Sequence, residues 1–353
     1  MEASRRRRPP AALVVVAILS AAALRAADAA PAPPMSFTLV SAAPGVYAAL
    51  AKEGSRASVG NAGFVIGSAG VLVVDTFASP AAAEELAGEI RRLTPLPVRW
   101  VVNTHYHLDH VGGNRVFARG GAALVAHENV RAWVRTENLK WRKEITPEEK
   151  AMLAALVLPD LTTTSGISIW LGDRRVDVLE RPGHTGGDLV VVVPDADVLF
   201  GGDLFWKGTI PNLVDANTEA WVDTLDGLLL DFPRAVFVPG HGDLGRALDA
   251  RTFRDYLSGL RLSVASRMQE GKSGRALVET LLPRHRERYG SWKWYGEFAE
   301  QNIALAEEEL RGTKRYPPKP SPAPPGERAV PAPTALPPIS TPREAGKDPS
   351  GPP

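Results

Sequence analysis

Residues 103–110 read NTHYHLDH and place four candidate metal ligands within six positions. The stretch follows an apolar run at 98–102 that predicts a buried strand. Because side chains alternate along an extended segment, His105 and His107 point to the same side and can hold one cation. Asp109 and His110 lie where the following Gly-Gly pair predicts a tight turn toward a helix, so they can face a second position nearby.

Three more candidate ligands, His184, Asp203 and His241, each follow an apolar run and have glycine neighbours. Five of the seven histidines of the chain therefore occur in strand-end settings, while His127 and His285 are predicted to be an ordinary loop histidine and a surface histidine. A single histidine in such a turn is more often a satisfied polar group than a ligand. Five of them together with two aspartates predict a metal site.

The ends of the chain differ from its middle. Residues 1–29 read as a secretory signal, with four arginines at 5–8, a 14-residue apolar run at 11–24 and an A-x-A site at 27–29. The apolar run is shorter than the about 20 residues of a membrane-spanning helix, which favours export over an uncleaved anchor. Residues 317–353 hold 14 prolines among 37 residues and predict an extended, disordered tail.

The remaining residues, 30–316, suit one α/β domain. Strand-like and helix-like runs alternate in each half of it, which predicts two α/β halves packed sheet against sheet. Helices are expected at 80–93, over most of 128–158 with a restart at Pro147, at 218–230 and in several pieces at 251–311.

Composition removes several classes of function. The chain has 353 residues with 41 basic and 40 acidic side chains, and a net charge of +1 gives no large basic field for a nucleic-acid partner. It has no cysteine, which excludes disulfide scaffolds, thiolate zinc sites, iron–sulfur clusters and cysteine nucleophiles.

The pattern His105-x-His107-x-Asp109-His110, followed by His184, Asp203 and His241, resembles the metal-binding signature of the metallo-β-lactamase superfamily over roughly residues 40–260. The resemblance implies an αββα sandwich of two mixed β-sheets flanked by helices, with two zinc ions at one edge. It assigns the first ion to His105, His107 and His184. It assigns the second to Asp109, His110 and His241, with Asp203 bridging the two.

Physical chemistry agrees with this assignment. Two ions about 3.5–4 Å apart can share a water whose pKa falls to about 7, and the hydroxide attacks a carbonyl or phosphoryl group without a protein nucleophile. We expect Asp109 to be the catalytic residue that orients this hydroxide and takes up a proton. Asp75, Thr104 and Thr185 are expected to orient the ligand imidazoles, although Asp75 could equally cap the following turn.

Residues 211–221 are similar to the segment after the third metal motif of zinc β-lactamases, in which a lysine and an asparagine hold the substrate carboxylate and the attacked carbonyl. Lys207 and Asn212 are the matching substrate-binding candidates; otherwise they are a surface lysine and a turn residue. Asp203 stands where those enzymes usually carry cysteine, and His110 where they often carry a non-histidine residue. In both respects the chain is more similar to glyoxalase II and lactonases.

The sequence thus predicts an exported, periplasmic or secreted, binuclear zinc metallohydrolase acting on a small amide, ester, lactone or thioester. Its only expected partner is a small-molecule substrate, with no stable membrane association after signal cleavage. One alternative is a metallo-β-lactamase that hydrolyses β-lactam antibiotics; another is a mononuclear iron oxidoreductase resembling persulfide dioxygenases. A nuclease and a metal-free binding module are weaker alternatives. Sequence leaves the substrate, the choice among zinc, iron and manganese, and the oligomeric state open.

Overall fold

The computed structural model describes residues 35–140 and 144–318. The predicted signal at 1–29 and all but the first two residues of the predicted tail lie outside the described residues. Within the described ranges, no helix combines the length and the apolar character needed to cross a bilayer.

The first β-sheet has seven strands arranged in the order of the sequence. Strands β1 to β4 are antiparallel neighbours, and β4 to β7 are parallel neighbours, so the sheet is mixed. Its strands are β1 (Phe37–Ala43), β2 (Val46–Ala51), β3 (Ala62–Ile66), β4 (Val71–Val74), β5 (Val98–Val102), β6 (Ala123–His127) and β7 (Leu161–Thr163).

The second β-sheet has five strands in the order β12-β11-β10-β9-β8. Its neighbours are antiparallel except for β11 and β12, which run parallel. Side chains such as Val65 and Leu72 from the first sheet and Val191 and Phe200 from the second form one buried cluster between the sheets. The strands are β8 (Gly166–Trp170), β9 (Arg175–Glu180), β10 (Leu189–Val193), β11 (Val198–Trp206) and β12 (Val236–His241).

Helices cover the outer faces of both sheets, which confirms the predicted αββα sandwich. On the first sheet they are α1 (Pro80–Leu93), α2 (Leu108–Val111), α3 (Asn114–Arg119), α4 (Glu128–Trp133) and α5 (Pro147–Ala154). On the second sheet they are α6 (Thr218–Asp231), α7 (Ala247–Gln269), α8 (Gly274–Tyr289) and α9 (Tyr295–Leu310).

Helix α1 shows how local signals and packing agree. The Ser79 side chain accepts a hydrogen bond from the Ala82 amide at the helix start, and Pro80 occupies a first-turn position where no amide hydrogen is needed. Leu86 and Ile90 lie on the buried face against the first sheet. Truncating Leu86 to alanine is expected to cost about 2–5 kcal/mol of stability.

The segment 128–158 is less helical than its composition predicts. Among the described residues of this segment only the short helices α4 and α5 form, and α5 begins at Pro147, as predicted, with Thr146 capping its first turn. Between them the Asn138 amide donates to the Tyr106 and Val134 carbonyls and accepts from the Leu108 amide. These hydrogen bonds hold the polypeptide around Asn138 against residues 106–108 instead of in a continuing helix.

The two histidines outside the metal pattern are more buried than predicted. His127 ends β6 and caps α4 by accepting a hydrogen bond from the Asn129 amide, with only 5% of its surface exposed. His285 lies on α8, half-buried, with its ring against Tyr289 and Tyr295.

Candidate metal centre

The seven candidate ligands meet at one edge of the sandwich because six of them end a strand or lie in a loop that follows one, and Asp203 lies within β11 three residues before its end. The first four follow β5, His184 lies between β9 and β10, Asp203 lies on β11, and His241 ends β12. Strands β11 and β12 are parallel, with Trp206 opposite His241, so the ends of both strands reach the same edge.

The segment 103–110 is folded back by a pair of asparagines. Asn103 and Asn114 exchange two side-chain hydrogen bonds of 3.0 and 2.8 Å, which fix the start of the segment against the helix that follows it. Gly112 and Gly113 have negative φ values. The space around them explains their identity, because a Cβ atom would overlap the Ala78 carbonyl at Gly112 and the Thr76 carbonyl at Gly113. Glycine is therefore required at these two positions because neighbouring backbone atoms leave no room for a Cβ atom, and not because the backbone adopts a conformation that favours glycine.

The first ligand group is formed by three imidazole nitrogens and one carboxylate oxygen. The Nε2 atoms of His105 and His184 lie 3.1 and 3.0 Å from His107 Nδ1. Asp203 Oδ2 lies 3.2 Å from His184 Nε2 and 3.6 Å from His105 Nε2. The ligand atoms of this group all lie within 4.8 Å of one another.

The second ligand group faces the other oxygen of the same carboxylate. Asp109 Oδ2 lies 3.5 Å from His110 Nε2 and 3.3 Å from His241 Nε2. Asp203 Oδ1 lies 3.1 and 3.4 Å from those two nitrogens. The structure therefore brings all seven predicted ligands together in two groups, with Asp203 between them.

Two unpaired atoms show that this arrangement fits metal ions. His110 Nε2 and Asp203 Oδ1 are fully buried, and neither has a hydrogen-bond partner among the described residues. An unsatisfied buried polar atom costs about 1–3 kcal/mol, so such atoms are rare without a purpose. The ligand atoms of these imidazoles and carboxylates face one another. Zn²⁺ binds to nitrogen and oxygen ligands of this kind, and so do iron and manganese.

Asp75 orients two of the imidazoles. Its carboxylate accepts hydrogen bonds from the Thr104 amide at 2.8 Å and the Thr104 hydroxyl at 2.7 Å, and it lies 2.8 Å from His110 Nδ1. The Thr104 hydroxyl in turn lies 3.1 Å from His105 Nδ1. Asp75 and Thr104 thus leave the Nε2 atoms of both rings facing the ligand groups.

Asp215 plays the same part for His107 and was not singled out in the sequence. Its Oδ2 atom lies 3.1 Å from His107 Nε2 and accepts a 2.5 Å hydrogen bond from the Tyr106 hydroxyl, while its Oδ1 atom accepts from Lys140 Nζ at 2.5 Å. The neighbouring His107, Lys140 and Tyr106 hold the pKa of the Asp215 carboxyl well below its usual range although burial opposes them. The only sequence signal was the position of Asp215 inside the 211–221 segment.

Thr185 does not hold an imidazole as expected. Its hydroxyl and amide both donate to the Asp188 carboxylate, and His184 Nδ1 has no hydrogen-bond partner among the described residues. The Thr185–Asp188 pair instead fixes the turn that carries His184, and the rings of Trp221 and Trp206 lie 5.2 and 6.0 Å from the His184 ring.

The pKa values of His105 and His184 in the first group are lowered, whereas those of His110 and His241 in the second group are raised. Burial lowers the pKa of His184 to about 3 and holds the pKa of His105 well below its ordinary value. Burial also opposes charge on His110 and His241, but the Asp203 and Asp109 carboxylates outweigh it. They raise the pKa of His241 to about 9 and that of His110 well above its ordinary value. The same ion pairing keeps the pKa of both carboxyls well below the usual range despite their burial.

A cavity of about 580 Å³ opens onto the ligand groups. His107, Asp109, Asp203 and His241 reach it from the metal centre, and Trp206, Trp294 and Phe298 form an apolar wall. The cavity is large enough for a small organic molecule and mixes an apolar surface with a few polar groups, as ligand sites do.

The structure separates the two predicted substrate-binding residues. Asn212 lines the cavity, and its Oδ1 atom accepts a hydrogen bond from the Val214 amide, while its side-chain nitrogen has no partner among residues 35–140 and 144–318. Lys207 does not line the cavity within the described part of the chain. Its Nζ atom donates to the Leu244 carbonyl at 2.8 Å and pairs with Asp249 at 3.3 Å. The backbone turns the lysine toward the start of α7, and sequence spacing alone could not reveal this.

Comparison with known proteins agrees with the geometry. A family model described as the metallo-beta-lactamase superfamily matches residues 56–241. The chain is 28% identical over 170 residues to a metallo-beta-lactamase type 2 of Pseudomonas aeruginosa, covering 47% of this chain and 61% of that protein. It is 23% identical over 304 residues to a linear primary-alkylsulfatase of a Pseudomonas strain, covering 74% of this chain and 57% of that protein. It thus spans somewhat less than two thirds of the length of these two relatives.

Among solved structures, a metallo-beta-lactamase from Pontibacter korlensis superimposes with a TM-score of 0.53 at 24% identity, over 63% of this chain and 99% of the other. That likeness supports the fold. The family match spans more than half of the chain and includes all seven ligands of the two groups. The protein is therefore a member of the metallo-β-lactamase superfamily.

Proposed function

We propose that the protein is an exported, binuclear zinc metallohydrolase that cleaves a small amide, ester, lactone or thioester. The observation that carries the proposal is the division of the Asp203 carboxylate between two complete ligand groups, with Oδ2 at 3.2 Å from His184 and Oδ1 at 3.1 Å from His110. One cation needs only one of these groups. Two complete ligand groups that share the Asp203 carboxylate fit a pair of cations.

A bound pair of zinc ions would polarise the scissile group and lower the pKa of a shared water to about 7. The protein supplies the geometry for this chemistry. Asp109 is 22% exposed, lines the cavity and keeps its carboxylate ionised between His110 and His241. It is thus placed to orient the attacking water and to carry a proton toward the leaving group.

The substrate would lie between Asp109 and Asn212. The free amide nitrogen of Asn212 can donate a hydrogen bond to the oxygen on which charge develops in the transition state, a contribution that typically changes rates by about 10²–10³. The wall formed by Trp206, Trp294 and Phe298 would bind an apolar part of the substrate.

Hydrolysis of β-lactams is a second candidate, favoured by the likeness to the metallo-beta-lactamase type 2 of Pseudomonas aeruginosa. The orientation of Lys207 speaks against efficient turnover of this kind, because the lysine proposed to catch the carboxylate pairs with Asp249 instead. A mononuclear iron oxidoreductase would leave Asp109, His110 and His241 without a role, although these three residues form a complete group.

Export is part of the proposal and rests on the signal-like residues 1–29. Expression in a Gram-negative host followed by cell fractionation and N-terminal sequencing tests it directly. We expect mature protein in the periplasm that begins near residue 30. Uncleaved protein in the cytoplasm would overturn this part of the proposal.

The decisive experiment pairs metal analysis of the purified protein with a substrate panel of esters, lactones, thioesters, β-lactams and alkyl sulfates. We expect two zinc ions per chain and metal-dependent hydrolysis of an ester, lactone or thioester. Nitrocefin turnover at ordinary enzyme rates would favour the β-lactamase instead. One iron per chain with oxygen consumption would favour the oxidoreductase.

A further inference from the structure

The loop at residues 52–61, which joins β2 to β3, presses directly on the metal centre. A Cβ atom added to Gly60 would lie only 2.7 Å from His110 Nε2 and 3.0 Å from the Asp109 carbonyl. Val59, the residue before it, lines the cavity and has a positive φ of 55°, which is unusual for a β-branched residue. Such strain is typical of functional sites, where the surroundings hold the backbone in place.

Hydrogen bonds fix this loop from several sides. The Asn61 amide donates to the Gly240 carbonyl at 2.7 Å, beside the ligand His241. On the other side, the Ala78 amide donates to the Ser58 carbonyl and the Ser79 hydroxyl donates to the Ala57 carbonyl. Side chains of the loop are therefore presented to the cavity by a pre-organised backbone, which lowers the entropic cost of binding a ligand.

Arg56 is the basic side chain of this loop, and it lines the cavity. Apart from the histidines, the other basic residue in the lining is Lys140, whose charge is balanced by Asp215 at 2.5 Å and Glu137 at 3.4 Å. Arg56 forms no ion pair or hydrogen bond with any residue in 35–140 or 144–318. Within the described residues, Arg56 is therefore the cation of the cavity lining, apart from the histidines, whose charge no acidic side chain balances.

The other residues that line the cavity limit the charge and shape of the ligand that it can bind. Glu137 and Glu297 also face the cavity, so a dianion such as a phosphate would meet about twice the repulsion that a single carboxylate meets. The rings of Trp294 and Phe298, with centroids 6.0 Å apart, offer an apolar surface between the charged rim and the metal ligands. A guanidinium binds a carboxylate through two parallel hydrogen bonds, which favours this anion.

We propose that Arg56, rather than Lys207, binds the carboxylate of the substrate, and that the substrate is a monocarboxylate with an apolar body. This inference rests on the proposed hydrolase function and deepens it. Because Arg56 acts in binding the substrate and not in bond cleavage, its substitution should change KM and leave kcat nearly unchanged.

The test uses a pair of esters with the same carbon chain, 4-nitrophenyl hydrogen adipate and neutral 4-nitrophenyl hexanoate. With the zinc-loaded protein, we expect Arg56→Ala to raise KM for the adipate about 10-fold with little change in kcat, and to leave the hexanoate unaffected. Arg56→Lys should recover part of the loss. Arg275→Ala, which removes the same charge from a side chain that is 91% exposed and paired with Glu279, is the matched control.

Four results distinguish failure of this inference from failure of the proposed function. If Lys207→Met raises KM for the adipate and Arg56→Ala does not, the anion binds at Lys207 and the inference is wrong. Equal effects of Arg56→Ala on both esters would show a structural role and also overturn it. Hydrolysis of neither ester, nor of any other compound in the panel, with or without zinc would contradict the proposed function itself. A 4-nitrophenyl ester carrying a terminal sulfate distinguishes a carboxylate site from a general oxyanion site, and tighter binding of the sulfate would overturn the carboxylate assignment.

Discussion

Asp203 Oδ1 and His110 Nε2 lie 3.1 Å apart in the buried core of the metal centre, and neither atom has a hydrogen-bond partner among the described residues. The opposite oxygen of the same carboxylate faces His105 and His184. This relationship makes Asp203 the residue that joins the two ligand groups.

Asp109→Ala should abolish turnover while the fold stays largely intact. The substitution removes a carboxylate of the second ligand group and the proposed carrier of the proton, so kcat should fall by about 10²–10⁴ or more. Steady-state kinetics, with far-UV circular dichroism and metal content measured on the same sample, checks this. Wild-type rates in the variant would contradict the assigned role.

Asp215→Asn should weaken zinc binding about 10–100-fold because the partner of His107 Nε2 loses its charge. Competition with a zinc-binding dye measures the affinity. Asp195→Asn is the matched control, since Asp195 is an exposed carboxylate paired with Arg174 on the surface. An equal affinity for Asp215→Asn and the control would show that Asp215 does not support the metal site.

Lys314→Met should destabilise the fold by about 1–3 kcal/mol. The buried Lys314 ammonium donates to the Leu213 and Ala216 carbonyls, and methionine would leave the Ala216 carbonyl unpaired and the Leu213 carbonyl with the Ala216 amide as its remaining donor among the described residues. These carbonyls flank Asp215, so metal affinity should fall as well. Urea denaturation of the variant beside Lys272→Met, a change at an exposed lysine, checks the loss. Equal stability of the two variants would rule out this role.

Acid should destabilise the protein partly through His285. Burial lowers the pKa of His285 to about 4 in the folded state, whereas the unfolded chain has its ordinary value near 6.5. The unfolded state therefore binds a proton first, and stability falls as pH drops from about 6.5 toward 4. His285→Phe should lose this part of the pH dependence in urea titrations at pH 7.5 and 5. Parallel pH profiles of the two proteins would show that His285 contributes nothing.

The fold and most of the metal centre followed from patterns that the local sequence carries. The ligands after β5 and at the end of β12 converge because parallel strands bring their ends to a common edge, and the turn between the antiparallel β9 and β10 brings His184 to the same edge. The spacing of His105 and His107 and the glycines beside His184 and His241 were the local signals. Helix α1 carried its own start signal in Ser79 and Pro80.

Other features depended on contacts between distant segments. The direction of the Lys207 side chain is set by Leu244 and Asp249, about forty positions later in the chain. The role of Asp215 requires a segment that lies more than a hundred residues after His107. Over 128–140 and 144–158 less helix forms than predicted, because Asn138 binds to 106–108, a tertiary contact that competes with local propensity.

The most direct test of the central claim is anomalous diffraction at the zinc edge from crystals of the zinc-loaded protein. The account predicts two peaks about 3.5–4 Å apart, one among His105, His107 and His184, the other among Asp109, His110 and His241, with Asp203 between them. A single peak, or peaks away from these seven side chains, would contradict it.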